Sequence, residues 1–129
     1  MCCKFCHEIA NEQILFTTKN YQVVLDIDPI QQGHLLIISK KHIDNLCRLS
    51  AEESLELITL EQKLVHVLET NFPVLGVTIA QNNGRLMDPG THFHVHVIPR
   101  YSEDGFWDTV HVEEKEFAVA QLKELLQTQ

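Results

Sequence analysis

Within residues 91–99 of the chain, THFHVHVIP, polar and hydrophobic residues alternate strictly from 92 to 97, and the stretch then becomes fully apolar. A period of two residues is typical of a β-strand that buries one face. Successive side chains of a strand point to opposite faces, so Phe93, Val95 and Val97 share one face. The other face carries three histidines: His92, His94 and His96. We predict a strand here and expect Pro99 to end its pairing, because proline has no N–H to donate.

Further apolar stretches predict the other strands of a sheet. Residues 21–25 are rich in β-branched and aromatic side chains, and residues 76–80 also have the composition of a strand. A continuous apolar run within 33–42 is consistent with a strand buried on both faces. We also predict that a strand begins within 8–18 and that 110–112 forms a short strand.

Two stretches have the spacing of amphipathic helices. Ser50 and Glu53 form a capping-box pattern, and apolar residues then recur at helical spacing to about Thr70. A closing helix is predicted over 113–127. Its apolar side would carry four residues: Phe117, Leu122, Leu125 and Leu126. Strands and helices together predict an α+β fold with a mainly antiparallel sheet.

Length and composition agree with one domain over residues 1–129. The chain has 129 residues, a usual length for a single domain, and its 44% hydrophobic content suffices for a core. We expect the core at about 3–105 and a C-terminal helical extension at about 113–127. The net charge of −8 argues against a nucleic-acid partner, because phosphate backbones are bound mainly through Lys and Arg. A small phosphorylated ligand needs only a local site and is compatible with this charge.

The sequence does not predict a membrane partner or a secretion signal. No apolar run approaches the roughly 20 residues of a membrane span, and the first residues lack an apolar central region. We therefore expect a cytoplasmic location. In that compartment cysteines are thiols or metal ligands rather than disulfides. The chain has four of them: Cys2, Cys3, Cys6 and Cys47.

Cys3 and Cys6 form a C-x-x-C pattern near the N-terminus. Three interpretations are open: two unconnected thiols, a redox motif, or part of a zinc site. A redox motif is expected just after a strand in a βαβ unit, a setting that the sequence does not have here. The zinc interpretation needs two more ligands, because structural zinc sites are closed tetrahedra of Cys and His.

The histidine face is compatible with three chemistries. A His-x-His pair can bind a catalytic metal. A histidine can also attack phosphorus while its neighbours hold the phosphate oxygens, or the face can bind phosphate without turnover. The outer two histidines lie about 13 Å apart along an ideal strand, too far to converge well on one ion. This spacing favours different tasks for the different histidines.

The triplet resembles the signature of the histidine triad (HIT) family of nucleotide hydrolases and transferases. In residues 92–98 three histidines are separated by single apolar residues and followed by two more apolar ones. Other segments resemble the family in the same order and at similar spacing: 25–29, 33–42, 82–84, 99–101 and the knuckle 3–6. The resemblance implies a HIT-like fold with a five-stranded sheet, one long central helix and a C-terminal helix. It also implies a homodimer.

The resemblance implies a role for each residue that matches the family's pattern. His94 would be the nucleophile that forms a nucleotidyl-histidine intermediate and then yields it to water. His96 would contact the phosphate and help the leaving group depart, and His34 would support the orientation of the nucleophile. Asp26 would hold the ribose hydroxyls and Ile27 would pack on the base.

Two further positions concern the sugar and phosphate side of the ligand. Asn82 would contact the nucleotide there. Many family members carry a Gln followed by Ser or Thr shortly before the triplet, as phosphate-binding donors. This chain has a shorter loop with Asp88 in that region, and a carboxylate there would repel phosphate. Thr91 could supply a hydroxyl to the nucleotide, although it is out of alignment with the family's donor.

In relatives with zinc, the resemblance implies a structural metal site that carries over to four residues: Cys3, Cys6, His42 and His92. The implied activity is cleavage of a phosphoanhydride or phosphoramidate bond of a purine nucleotide, of the adenosine type. Dinucleoside polyphosphates and nucleoside phosphoramidates are the candidate substrates. The alternatives are a nucleotide-binding regulatory protein with little turnover and a hydrolase with a catalytic metal on the triplet.

Overall fold

A five-stranded antiparallel sheet organises the molecule, as predicted. The computed structural model describes residues 3–128, so Cys2 lies outside the described residues. Along the sheet the strands follow the order β1-β2-β3-β5-β4. In chain order they are β1 (Ile14–Thr17), β2 (Tyr21–Leu25), β3 (Leu35–Ser39), β4 (Gly76–Gln81) and β5 (His94–Arg100). Three helices complete the fold: α1 (Lys4–His7), α2 (Ala51–Asn71) and α3 (Val119–Thr128).

The strand with the alternating pattern, β5, lies between β3 and β4. Ile38 pairs with His94 and Leu36 with His96 on one side, and Ala80 pairs with His96 on the other. The pleat sends Phe93, Val95 and Val97 into the main core, where each is fully buried. The two strand histidines therefore face the opposite side of the sheet.

Helix α2 covers the apolar face of the sheet. Ser50 accepts a hydrogen bond from the backbone N–H of Glu53, and the Glu53 side chain accepts one from the backbone N–H of Ser50, so the predicted capping box is present. Four leucines of α2 are buried against the sheet: Leu57, Leu60, Leu64 and Leu68. Val24, Leu36 and Ile38 form a second, smaller apolar cluster on the opposite face of the sheet, and Phe5 packs against it. Apolar cover on both faces explains the continuous apolar run of β3.

Three details of the sequence prediction were wrong. Pairing with β3 ends at Leu35 and Val97, but β5 continues past Pro99 alongside β4. The strand has a single neighbour there, which is where a proline is tolerated. Residues 110–112 form no strand, and the last helix begins at Val119 rather than at 113. Without tertiary packing, a short helical stretch is only marginally stable.

The C-terminal helix α3 also differs from expectation in its packing. The residues predicted for its apolar side are exposed, with Phe117 at 71% and Leu126 at 67%. The sheet and α2 all lie within residues 3–105. Among residues 3–128, no helix combines the length and apolar character needed to cross a bilayer.

Leu60→Ala should lower the free energy of unfolding by about 2–5 kcal/mol, because it removes a buried side chain from the α2–sheet core and leaves a cavity. Leu55→Ala on the same helix is the matched control, since Leu55 is 70% exposed. The control should change stability by less than about 0.5 kcal/mol. Urea unfolding followed by circular dichroism measures both, and equal losses would contradict the described packing.

Candidate active site and metal site

A cleft of about 410 Å³ lies on the histidine face of the sheet. Its walls come from the N-terminal segment, from the end of β2 and from the loop before β5. The lining residues that are charged, polar or aromatic, together with one exposed isoleucine, are Lys4, Phe5, Glu8, Asp26, Ile27, Asp28, Asp88, Thr91, His94 and His96. Two of the three predicted catalytic residues, His94 and His96, and three of the four predicted nucleotide-binding residues thus share one cavity.

The imidazole of His94 is held in a single tautomer. Its Nδ1 lies 2.7 Å from the carbonyl oxygen of His92. A carbonyl can only accept, so Nδ1 must carry the proton and Nε2 retains its lone pair. The side chain is 6% exposed. The backbone contact thus leaves Nε2 of His94 free to accept a proton or to attack an electrophile.

A chain of hydrogen bonds runs from the backbone through His34 to His96. The backbone N–H of Ile30 donates to Nδ1 of His34 over 3.1 Å. Neutral His34 must then carry its proton on Nε2, which lies 2.9 Å from Nδ1 of His96. His96 therefore accepts at Nδ1 and presents an N–H at Nε2. His34 was expected to orient His94; the structure places it against His96 instead.

Burial keeps the His34–His96 pair neutral. Desolvation is the main cause that lowers the pKa of His34, and Asp26 opposes this shift. Desolvation, together with the neighbouring His94 and His34, lowers the pKa of His96 to about 4. The Oδ2 atom of Asp26 lies 3.5 Å from Nε2 of His34. Neutral imidazoles fit the tautomer chain at pH 7.

The predicted nucleoside contacts are brought together only in part. Asp26 and Ile27 line the cleft, and Ile27 is 87% exposed, leaving an apolar side chain free to meet a flat ring. Asp26 also accepts a hydrogen bond from the backbone N–H of Asp28, which forms an Asx turn. Asn82 is half-buried beyond the end of β4 and is not among the residues that line the cleft. Its role stays a prediction.

The loop before β5 is held in place by its own hydrogen bonds. The hydroxyl of Thr91 donates to the carbonyl oxygen of Asp88 over 2.7 Å, and the backbone N–H of Thr91 donates to the same oxygen. The backbone N–H of Lys4 donates to the carbonyl of Gly90. The single hydroxyl proton of Thr91 is thus engaged within the loop and does not point to a ligand in this structure. The contact of Thr91 with the nucleotide stays a prediction.

Four side chains on the same side of the sheet could hold a metal ion: Cys3, Cys6, His42 and His92. Their candidate donor atoms all lie within 4.8 Å of one another. Nδ1 of His92 is 3.2 Å from Sγ of Cys3 and 3.5 Å from Sγ of Cys6. Tetrahedral zinc with sulfur and nitrogen ligands keeps its donors about 3.5 Å apart, so these distances fit a metal of that size.

The backbone also fixes the tautomer of His92 for ligation. Nε2 of His92 lies 2.6 Å from the carbonyl oxygen of Ser39 and must donate to it. The lone pair of Nδ1 is then directed at the two thiols. Such a backbone partner on the second ring nitrogen is the usual support of a metal-bound histidine. The hydrogen bond from His92 to Ser39 is thus a second observation, independent of the cysteines, that fits a metal at this site.

Sequence reasoning missed three residues of these sites. Phe5 meets the His94 ring edge-on with centroids 5.0 Å apart, and the His92 ring at 5.5 Å. Ser39 supplies the carbonyl for His92, and Ile30 supplies the N–H for His34. Phe5 could have been noticed, since it lies inside the C-x-x-C knuckle. The two backbone contacts leave no trace in side-chain identity.

The fold and the cleft define the class of the molecule, an α+β domain with a histidine site on a central antiparallel strand. Comparison with known families matches residues 8–103 to the HIT domain. The match covers more than half of the chain, so the chain belongs to the HIT family. This confirms the resemblance inferred from the histidine triplet.

Relatives of this chain carry the names of two different hydrolase activities. The adenosine 5'-monophosphoramidase HNT1 of Candida albicans is 36% identical over 110 residues, which cover 78% of this chain and 72% of the relative. The bis(5'-adenosyl)-triphosphatase of Dictyostelium discoideum is 30% identical over 97 residues, covering 74% and 65%. A Zn-bound histidine triad family protein from Mycobacterium smegmatis has a similar structure. Its TM-score is 0.68 at 25% identity, covering 95% of this chain and 96% of that one.

The buried histidines should make the fold less stable in mild acid. Between pH 6.5 and about 4 the unfolded chain protonates His96 whereas the folded chain does not, so stability falls as the pH falls. One such group contributes a slope of up to about 1.4 kcal/mol per pH unit. His96→Asn should flatten the slope of urea-derived stability between pH 7 and 5.

The exposed His66 on α2 provides the control, and His66→Asn should keep the slope of the parent protein. Measurements in the presence of a chelator keep metal binding out of the comparison. An unchanged slope in His96→Asn would show that His96 is not the neutral buried group described.

Proposed function

We propose that this chain is a nucleotide hydrolase that cleaves a phosphoanhydride or phosphoramidate bond of an adenosine-type nucleotide through a nucleotidyl-His94 intermediate. The observation that carries the proposal is the hydrogen bond from Nδ1 of His94 to the carbonyl of His92, which leaves Nε2 as a nucleophile in the cleft. Relatives named as an adenosine phosphoramidase and a bis(5'-adenosyl)-triphosphatase support the reaction class.

In the first step Nε2 of His94 attacks the α-phosphorus. The bond from phosphorus to the leaving nitrogen or oxygen breaks with its electron pair. Nε2–H of His96 donates a hydrogen bond to that atom and stabilises the charge that develops on it, and the departing group takes its proton from solvent, so a neutral amine or a phosphate departs. In the second step water attacks phosphorus and the P–Nε2 bond breaks. The water proton passes to solvent and the electron pair of the P–N bond returns to Nε2 of His94, so the free nucleotide and the imidazole of His94 are restored, while His96 keeps its proton throughout.

His34 acts in this scheme as a positioning residue. Its N–H at Nε2 faces Nδ1 of His96 and keeps the His96 proton on the nitrogen that faces the cleft. His96 can therefore act only as a hydrogen-bond donor to the leaving group, because loss of its single proton would leave an imidazolate. The Ile30 N–H sets the direction of the whole chain. We infer further that Asp26 holds the ribose and Ile27 the base, because both line the cleft beside the histidines.

His94→Ala should abolish formation of the covalent intermediate, because no other group in the cleft has a prepared imidazole Nε2. The measurement uses diadenosine triphosphate and adenosine 5'-phosphoramidate labelled at the α-phosphorus, with rapid quenching in alkali and detection of acid-labile label on the protein. The parent protein should carry the label and the variant none, with hydrolysis lowered by at least about 10³-fold. His66→Ala, on the exposed side of α2, should behave like the parent protein.

A second candidate function is nucleotide binding with little turnover, as in a regulatory protein. It is favoured by Asp88 in the cleft and by the Thr91 hydroxyl that is engaged with the Asp88 carbonyl. Binding of adenosine nucleotides with neither label nor turnover in the parent protein would contradict the hydrolase and establish the binding function.

We also propose that the four-residue metal cluster holds zinc in a structural role. The two thiols and two imidazoles are a closed ligand set, and zinc there would tie α1 to the beginning of β5. The Zn-bound relative supports the choice of metal. The metal donors Cys3, Cys6 and His42 do not line the cleft, which separates the metal from the reaction.

Cys6→Ser should remove the bound zinc and lower the unfolding temperature by several degrees, because the fourth ligand is lost and α1 is released. Zinc content by atomic emission should be one equivalent in the parent protein and near zero in the variant. Cys47→Ser is the matched control, since Cys47 is an exposed thiol outside the cluster, and it should keep both zinc and stability. Loss of hydrolysis on metal removal without any loss of stability would instead indicate a catalytic metal.

The homodimer implied by the resemblance remains a prediction. One observation supports it: β4 is an edge strand of the sheet, and Ile79 on it is 39% exposed. Beside it on α2, Ile58 is 51% exposed. An open edge with apolar neighbours is suited to pairing with another chain.

A further inference from the structure

The cleft that contains His94 and His96 is strongly acidic. Four carboxylates line it, from Glu8, Asp26, Asp28 and Asp88, and Lys4 is the one cation among its lining residues. Burial lowers the pKa of His96, so its imidazole does not offset this charge at pH 7. A polyphosphate brings several negative charges into such a site, whereas a phosphoramidate brings one.

The position of Asp88 in this cleft is fixed by the backbone. Its carbonyl oxygen accepts hydrogen bonds from both the hydroxyl and the N–H of Thr91. Two residues further on, Gly90 is tied to the N-terminal knuckle through Lys4. The carboxylate itself makes no ion pair within the described residues and is exposed at the cleft. It is therefore free to meet a charged group of a ligand.

Asp26 and Asp88 reach the cleft from different elements, and both act on the charge of His96. Asp26 and Ile27 follow β2, whose last residue Leu25 pairs with Leu35 at the beginning of β3, near the Val97 end of β5. Asp88 precedes the other end of β5, on the same side as Glu8 and Lys4. If the nucleoside packs on Ile27, the space beside Asp88 is left for the leaving group, which is attached beyond the reacting phosphorus.

We propose that Asp88 is a specificity-determining residue that favours leaving groups with a positively charged amine over polyphosphates. This inference rests on the proposed hydrolase function and deepens it. An ammonium beside Asp88 gains an ion pair at the same place where a phosphate of a polyphosphate meets a like charge. The preferred substrate is thus a nucleoside phosphoramidate of a diamine-like compound.

The chemical step keeps its balance with such a substrate. Nε2 of His94 forms a bond to phosphorus, and the P–N bond breaks with its electron pair. The departing nitrogen takes a proton from solvent, while Nε2–H of His96 donates a hydrogen bond to it. The second ammonium of the amine takes no part in the bond changes. It contributes to binding of the substrate and of the transition state through Asp88.

The test compares two adenosine 5'-phosphoramidates that differ only in charge. One carries butane-1,4-diamine and the other pentylamine, so a terminal ammonium replaces a terminal methyl group. The parent protein should show a kcat/KM for the diamine compound about fivefold above that for the pentyl compound, the size expected for an exposed ion pair. The preference should decline as salt is raised to about 0.5 M, because exposed charges are screened.

Asp88→Asn should bring the ratio of the two kcat/KM values close to one. This variant keeps the backbone carbonyl that Thr91 contacts, so the loop remains held. Asp88→Lys should raise kcat/KM for diadenosine triphosphate relative to the pentyl compound by about fivefold. Asp108→Asn removes an exposed carboxylate outside the cleft and should leave every ratio unchanged.

A ratio near one in the parent protein, or an unchanged ratio in Asp88→Asn, would overturn the role of Asp88 while leaving the hydrolase function intact. If none of the three compounds is cleaved, the proposed hydrolase function fails instead. In that case calorimetry measures the dissociation constants of the two phosphoramidates, and their ratio gives the charge preference. The same fivefold ratio and its loss in Asp88→Asn would support the role of Asp88, and their absence would refute it.

Discussion

The pleat of β5 is the constraint on which both the core and the site depend. Its odd-numbered residues are apolar and lie under α2, and its even-numbered histidines lie on the opposite face. A shift of register by one residue would move histidines into the core and valines into the cleft. Burying Phe93, Val95 and Val97 completely therefore also fixes where His94 and His96 point. Stability and chemistry are set by a single choice of register.

Backbone carbonyls and N–H groups complete what the register begins. His92 and His94 each donate one ring N–H to a carbonyl, and His34 accepts from an N–H at Nδ1. Each contact selects one of two tautomers, and each leaves the other nitrogen for its task. The three rings thus differ in function because the surrounding backbone differs. Their side chains are chemically the same.

The sequence was sufficient for the sheet and for α2, because both depend on periodicity. The division of tasks among the histidines came from the resemblance to the HIT family and stays a prediction. The sequence was insufficient where a tertiary contact decides. The partner of His34 depends on how β3 lies beside β5, and Pro99 is tolerated because β5 has one neighbour there. The helical pattern at 113–127 predicted a longer α3 than the chain forms. Its apolar residues are exposed and supply no packing to extend the helix.

The knuckle joins the metal site to the cleft, although the two have different chemistry. Phe5 lies between the two cysteines in sequence and packs on both His92 and His94. Lys4 binds Gly90 through its backbone, which places the loop of Asp88 against the same segment. A metal at the cysteines would therefore hold Phe5 against His94, the proposed nucleophile, and the loop against the cleft. Loss of that metal would act on hydrolysis through packing, without any role for the ion in the bond changes.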